Sequence, residues 1–200
     1  MQKILCGVVV LAGLSTVRAA NTYNFVTDQS AYDLSQGPVS VMVYLEEMGS
    51  PSTLATDEGL GGGAFSVTRS FGETGVKISD LVFNPLFDAG VPFNSKSVTG
   101  SLASLTESIG FLSAGVGFDA NHPTWTYLGS ITMAADTGGQ TTTFTIGGYD
   151  NTGNFVTHRP TTLDDPTIPE SVSFSVAVPE PASFSLLTLG GLGLLARRRK

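Results

Sequence analysis

The chain has 200 residues, of which 41% are hydrophobic and only 14% are charged, with a net charge of -7 and a pI of about 4.6. This acidic balance excludes a basic nucleic-acid-binding protein, because the chain repels phosphate. The hydrophobic content is enough to fill a core, which excludes an intrinsically disordered chain, and the low charge excludes a long coiled coil.

The first residues predict a secretory signal peptide. Lys3 precedes a continuous apolar run at residues 4–14, and the aliphatic and small residues Val17 and Ala19 suit cleavage after Ala19. This run is too short to span a hydrocarbon core of about 30 Å as a permanent anchor. We therefore expect residues 1–19 to be removed during export. Their removal takes away Cys6, the only cysteine, so the mature protein has no disulfide and no thiol ligand or nucleophile.

Residues 20–177 predict one all-β domain, because apolar and polar residues alternate in short runs separated by glycine-, proline- and aspartate-rich loops. Strands at this spacing are typical of a single β-sandwich, either a jelly roll or a cohesin-like sandwich. Residues 134–140 predict a hairpin turn between two long strands. The predicted strands are residues 23–26, 39–45, 63–70, 76–83, 97–102, 109–118, 127–134, 141–146 and 172–178.

Four segments of this domain resemble the cohesin-like sandwich and related carbohydrate-binding modules. They are the strand at residues 39–43, the glycine-rich approach at 59–65, the segment 81–88 and the strand at 128–133. The resemblance implies a role in binding or scaffolding without catalysis, by analogy of fold.

Two aromatic residues form a candidate carbohydrate-binding face. Trp125 and Tyr127 flank Thr126, and the alternation of side chains along a strand places both rings on one side. Sugar rings stack on such flat side chains, so an extracellular polysaccharide is a candidate ligand. The alternative is that Trp125 packs in the core, as a lone tryptophan in a sandwich commonly does.

A calcium site is the other candidate for binding, although the sequence demands no cofactor. Asp150, Asn151 and Asn154 place several oxygen donors in one tight turn, which suits calcium. Turn formation explains the same residues, because Asn and Asp side chains bond to their own backbone. His122 and His158, the only histidines, lie in turn-like contexts and lack the spacing of a zinc site.

An enzyme is the alternative to a non-catalytic protein. A small extracellular glycoside hydrolase needs two carboxyl groups held about 5 to 10 Å apart in a pocket. The candidate pairs are Glu46 or Glu47 with Asp57 or Glu58. A sandwich with short loops offers little depth for such a pocket, so we expect no catalysis.

The C-terminal residues 178–200 have three parts in a fixed order. Val178, Pro179, Glu180 and Pro181 form a stiff extended stretch, because proline fixes its own φ angle and restricts the residue before it. Residues 182–196 are then apolar and as a helix would measure roughly 22 Å, which is short for a full span. A basic end follows, which stays cytoplasmic by the positive-inside rule. It consists of Arg197, Arg198, Arg199 and Lys200.

This order of parts closely resembles the PEP-CTERM sorting signal of bacterial surface and matrix proteins. The resemblance implies recognition by an exosortase, a membrane protease that cuts near the Pro-Glu-Pro motif. It also implies a transient membrane tether through the C-terminal helix, followed by release to the cell envelope or the extracellular matrix. The expected partners are therefore the secretion machinery, the exosortase and the membrane, and not nucleic acid.

Overall fold

A computed structural model describes residues 21–88, 95–108, 115–137, 139–149, 155–157 and 169–178 of the chain. These residues are mostly β-structure, with one four-residue helix, α1 (Thr53–Thr56), and two short 3-10 helices at Leu34–Gln36 and Pro85–Asp88. No helix within these ranges is long and apolar enough to cross a membrane. The strands are β1 (Thr22–Thr27), β2 (Ala31–Asp33), β3 (Val39–Met48), β4 (Leu60–Arg69), β5 (Val76–Phe83), β6 (Ser95–Val98), β7 (Leu102–Ser108), β8 (Trp125–Ala135), β9 (Thr142–Gly148), β10 (Val156–Thr157) and β11 (Val172–Ala177).

The strands form two sheets, which confirms the prediction of an all-β sandwich. The four-stranded sheet has the order β1-β3-β8-β5, and all its pairs are antiparallel. The larger sheet has the order β2-β11-β9-β4-β7-β6, and β10 also pairs with β4. In the larger sheet the short edge strand β2 runs parallel to β11.

The core lies between the sheets and follows from the alternation that the sequence shows. On β3, for example, Val41, Val43 and Leu45 are fully buried, and the residues between them include the exposed Met42. Alternate residues of a strand point to opposite faces, so one face of each strand is apolar and the other is available to solvent or ligands. Large buried aromatic side chains fill the space from both sheets: Tyr23, Phe25, Phe65, Phe144 and Phe174.

Gly129 marks a close approach of backbones inside the four-stranded sheet. A Cβ atom at this position would lie 2.5 Å from the carbonyl oxygen of Val82 on the neighbouring strand β5. Such a contact forces the two strands apart, so only glycine fits here. Gly129 pairs with Val43 just before the irregularity at Val43/Tyr44, which sets the position of the aromatic residues described below.

Three sequence predictions about the strands are wrong. Residues 97–102 form no single strand, because Gly100 takes a φ of 85° in a turn that separates β6 from β7. Within 109–118, the described residues contribute only an isolated bridge between Val116 and Leu60. Residues 134–140 form no hairpin, because β8 and β9 lie in different sheets and each already has a partner on both sides.

Several predicted segments lie outside the described residues. They include the signal peptide at residues 1–19 and all of the C-terminal residues after Val178. The same is true of His158 and of the candidate calcium ligands Asp150, Asn151 and Asn154.

Candidate functional site

Trp125 and Tyr127 lie on the outer face of the four-stranded sheet. Both side chains are partly exposed, whereas Thr126 between them is fully buried on the core side. The register of β8 against β3 places Tyr44 opposite Tyr127 and Glu46 opposite Trp125. The two predicted residues therefore share one face, and β3 adds a third aromatic ring to them.

Four rings pack together at this place, and we call Tyr44, His122, Trp125 and Tyr127 the aromatic cluster. The phenol ring of Tyr44 is central, with its centroid 5.4 Å from those of both Trp125 and Tyr127 and 5.8 Å from that of His122. The imidazole of His122 stacks on the indole of Trp125 at 4.3 Å with an interplanar angle of 8°. The imidazole of His122 thus covers one face of the indole.

A tight turn before β8 positions His122. The N–H of His122 donates to the carbonyl oxygen of Asp119, and the N–H of Trp125 donates to that of His122. Oδ1 of Asp119 lies 3.1 Å from Nδ1 of His122 and accepts a 2.9 Å hydrogen bond from the N–H of Asn121. The sequence predicts a turn-like context for His122 but not its stack on Trp125. Its position three residues before Trp125 was the available signal.

The Asp119 carboxylate selects which nitrogen of the imidazole faces it. The Asn121 N–H and the His122 imidazole hold the pKa of the Asp119 carboxyl below its usual range. An ionised carboxylate only accepts hydrogen bonds, so Nδ1 of His122 carries a proton and, in the neutral ring, Nε2 is an acceptor. Burial and the nearby Asp119 carboxylate raise the pKa of Tyr44, so its hydroxyl stays protonated.

Glu46 fixes the other side of the indole. Its Oε1 accepts a 3.0 Å hydrogen bond from Nε1 of Trp125, which keeps the indole in one orientation. Its second oxygen lies 3.5 Å from Nδ2 of Asn24 on β1. Beyond the rings, the same face continues with the exposed side chains of Met42 and Val82, which both lie opposite Ser130.

Glu47 points to the opposite side of β3 from Glu46 and is only 3% exposed. Its carboxylate accepts hydrogen bonds from Nδ2 of Asn21 at 2.8 Å, from the hydroxyl of Tyr23 at 3.1 Å and from the N–H of Thr53 at 2.7 Å. The Ser52 hydroxyl also donates to it. This carboxylate ties the loop before α1 to β1 and β3, and its oxygens are occupied by the protein.

The remaining candidate carboxylates are separate from the aromatic cluster. Asp57 follows α1 and accepts a 3.0 Å hydrogen bond from the Thr157 hydroxyl, and Glu58 lies next to it with a φ of 65°. An open cavity of about 550 Å³ lies elsewhere, and Asp33 is the acidic residue among those that line it. In the described part of the chain, no group of three acidic, histidine or cysteine residues is arranged to hold a metal ion.

The comparisons with known proteins concern two separate parts of the chain. Residues 177–200 match the PEP-CTERM protein-sorting motif. The fold is similar to a cohesin in a type I cohesin–dockerin complex of Clostridium thermocellum containing OlpA, with a TM-score of 0.52 and 12% identity over 79% of this chain and 99% of that one. A second complex from the same organism, containing OlpC, gives a TM-score of 0.50 and 8% identity over 81% and 97%. At this identity the similarity shows the fold alone.

No curated protein sequence matches the chain. The sorting motif agrees with the order of parts in residues 178–200, and it marks an exported protein that is processed by an exosortase. The chain thus combines a PEP-CTERM sorting motif with a cohesin-like β-sandwich.

Proposed function

We propose that this protein is a non-catalytic surface or matrix protein whose sandwich binds a neutral polysaccharide through the aromatic cluster. The observation that carries the proposal is the packing of four rings on the outer face of the four-stranded sheet, where two strands and one turn converge. Buried aromatic side chains normally contribute to a core. Here Trp125 and Tyr127 remain partly exposed on the face that points away from it.

The polar groups around the rings favour a neutral glycan over an acidic one. The carboxylates of Glu46 and Asp119 are hydrogen-bond acceptors, and the hydroxyls of a sugar can donate to them. The region between residues 20 and 178 has a net charge of -12, from 4 basic and 16 acidic residues, so it repels uronic acids and sulfated sugars. Calcium bound by Asp150, Asn151 and Asn154 remains part of the proposal as an optional cation.

The C-terminal residues determine where the protein acts. We propose that residues 1–19 direct export and that residues 182–196 hold the domain at the membrane, with Arg197, Arg198, Arg199 and Lys200 on the cytoplasmic side. Cleavage near Pro179, Glu180 and Pro181 then releases the domain to the envelope or matrix. A sandwich that binds polysaccharide is suited to both places.

The geometry offers less support for the alternative of a glycoside hydrolase. Glu46 and Glu47 point to opposite faces of β3, and the donors around Glu47 leave no room for a substrate oxygen. Since no observation favours a catalytic pair, we propose the binding function alone.

Affinity electrophoresis of the full chain in mild detergent tests the proposal. Gels that contain a neutral polysaccharide should retard the protein, gels with a uronic-acid polymer should not, and each gel is run with calcium and with a chelator. Trp125→Ala should abolish the retardation. Leu102→Ala is the matched control, because Leu102 is also exposed but lies on β7 of the other sheet. Retardation that survives Trp125→Ala would refute the proposed site.

A further inference from the structure

The tail leaves the domain from a strand that is held on both sides. β11 pairs with β9 and with β2, and its side chains Phe174 and Val176 are buried in the core. The strand ends at Ala177, and Val178 packs partly buried against the core. The point where residues 179–200 begin is therefore fixed relative to the sandwich.

One end of the sandwich surrounds this point, and we call it the exit end. It is formed by the end of β4, the starts of β5 and β9 and the end of β11. The guanidinium of Arg69 joins the two sheets there, because Nη1 donates to the carbonyl oxygen of Val76 at 2.9 Å and lies 3.3 Å from Oδ2 of Asp136.

The turn between β4 and β5 projects Phe71 from the exit end. The N–H of Ser70 donates to the carbonyl oxygen of Thr143 at 2.9 Å, and the Glu73 carboxylate accepts from the N–H of Thr143, so the turn is fastened to the start of β9. Gly72 takes a φ of 83°, which lets the chain reverse direction. The turn is thus fixed to the sheet, but the side chain of Phe71 is fully exposed, with a relative exposure of 106%.

Phe71 lies close to the start of the tail. Arg69, Phe144 and Phe174 form one row across the neighbouring strands β4, β9 and β11. Val176 lies two residues beyond this row on β11, and Phe71 lies two residues beyond it in the turn after β4. The two strands are two spacings apart, which is about 10 Å.

The short connection to the apolar segment restricts how far the exit end can move from a membrane. Four residue steps join Val178 to Ala182, so even a fully extended connection spans at most about 14 Å. The headgroup layer on each side of a bilayer is itself about 5–8 Å thick. If residues 182–196 insert, the exit end stays within about 6–9 Å of the headgroup layer, so a side chain that projects from this end can reach the headgroups.

We propose that Phe71 inserts into the lipid headgroup region of the membrane while the tail is still attached, and so orients the domain with its exit end down. The inference rests on the membrane tether of the proposed function. Phenylalanine lowers its free energy by leaving water at this interface. Tethering gives a high local concentration, so a single ring can act where it would not bind a free domain to lipid. The cationic side chains of Arg69 and Lys77 and the acidic side chains of Glu73 and Asp136 all lie at this end, so the proposed contact depends on the apolar ring and not on charge.

The full chain carrying Phe71→Trp, reconstituted in vesicles of brominated phosphatidylcholine, tests the inference. Its fluorescence should be weaker in brominated than in unbrominated vesicles, and this fractional loss should exceed that of the unchanged chain, whose only indole is that of Trp125. Leu86→Trp is the matched control. Leu86 is also exposed, but it follows β5 at the opposite end of the sandwich, so its indole should not be quenched.

Flotation of the same vesicles separates the two proposals. A chain that floats with the lipid but shows no more quenching for Phe71→Trp than for Leu86→Trp keeps the tether and overturns the role of Phe71. A chain that does not float contradicts the tether and the contact together. A third outcome is that Phe71→Ser is processed more slowly in cells while Phe71→Trp shows no quenching by lipid. Phe71 would then contact the exosortase and not the lipid, which also overturns the membrane contact.

Discussion

The imidazole of His122 lies parallel to the indole of Trp125, with ring centroids 4.3 Å apart. The two residues are held in this relation by backbone hydrogen bonds through the Asp119–His122 turn and by the Glu46 carboxylate on the indole nitrogen. The surface is therefore preorganised, and the proposed binding of a polysaccharide would cost little side-chain entropy. The same contact makes Trp125 a fluorescent reporter of the site, because the chain has no other tryptophan.

Replacing His122 should weaken binding without unfolding the domain. His122→Ala removes the ring that holds the Trp125 indole in place, and ordering a side chain on binding costs about 0.5–1.5 kcal/mol, so affinity for the polysaccharide should fall about 2- to 10-fold. The Trp125 emission should shift to the red as water reaches the uncovered face. His122→Phe is the control that keeps a ring. Equal loss for both variants would contradict a role for stacking.

The turn that carries His122 should open only in acid. Because the folded-state pKa of Asp119 lies below its unfolded value, its carboxylate stabilises the turn above the unfolded pKa, about 3.9 for Asp, and this contribution is lost as the pH falls through the folded pKa. Loss of this carboxylate should therefore change the Trp125 fluorescence below about pH 4.

Two variants identify the group responsible for this acid transition. Asp119→Asn should remove the change in Trp125 fluorescence. Asp80→Asn should leave it in place, although the Asp80 carboxyl also has a lowered pKa, because its partners are Lys96 and Leu81 and not the aromatic cluster. A transition that persists in Asp119→Asn contradicts the assignment.

The sequence predicts the parts of this fold that depend on local alternation. β5 at Val76–Phe83 has the predicted bounds, and β3 and β8 extend the predicted segments by only a few residues. Pairing between strands is not local. The sequence therefore predicts a hairpin after β8, whereas the structure places β9 in the other sheet. The aromatic cluster, too, can be predicted from the sequence only in part. The i, i+2 spacing of Trp125 and Tyr127 is visible in the sequence, but Tyr44 joins them through strand register and His122 through the fold of a turn.

Glu47 should matter for stability and not for binding. Glu47→Gln keeps the size of the side chain but leaves an acceptor oxygen at only one of the two positions. Its NH2 group then faces either the Asn21, Tyr23 and Thr53 donors of one oxygen or the Ser52 and Leu54 donors of the other, which should cost about 1–3 kcal/mol in the free energy of unfolding. Urea unfolding followed by circular dichroism measures this loss. Glu46→Gln is the matched control, because Glu46 is adjacent in sequence but its side chain lies on the outer face. This variant should change the free energy of unfolding by less than about 0.5 kcal/mol. Reduced polysaccharide binding by folded Glu47→Gln would contradict the purely structural role.

The tail should be removed close to the folded domain. The apolar segment at residues 182–196 is roughly 22 Å long as a helix, shorter than a bilayer core of about 30 Å, and its glycines reduce the apolar area, so it suits a transient tether better than a permanent one. Because β11 and Val178 belong to the packed domain, the protease has to cut beyond Val178, near Pro179, Glu180 and Pro181. Mass spectrometry of the native protein should find a product that ends near Ala182.

Changing the motif should block this step. Glu180→Ala combined with Pro181→Ala should leave the full tail on the protein and keep it in the membrane fraction, because an exosortase substrate is recognised by its Pro-Glu-Pro stretch. Thr188→Ala is the matched control, since it lies in the same tail but leaves the motif and the apolar character of the segment intact, and it should be processed normally. Two residues inserted between Val178 and Pro179 should speed the cut, because they move the motif away from the end of β11 and give the protease more extended chain to bind. Recovery of intact residues 197–200 on the main species outside the inner membrane, or normal processing of the double variant, would refute this account of the tail.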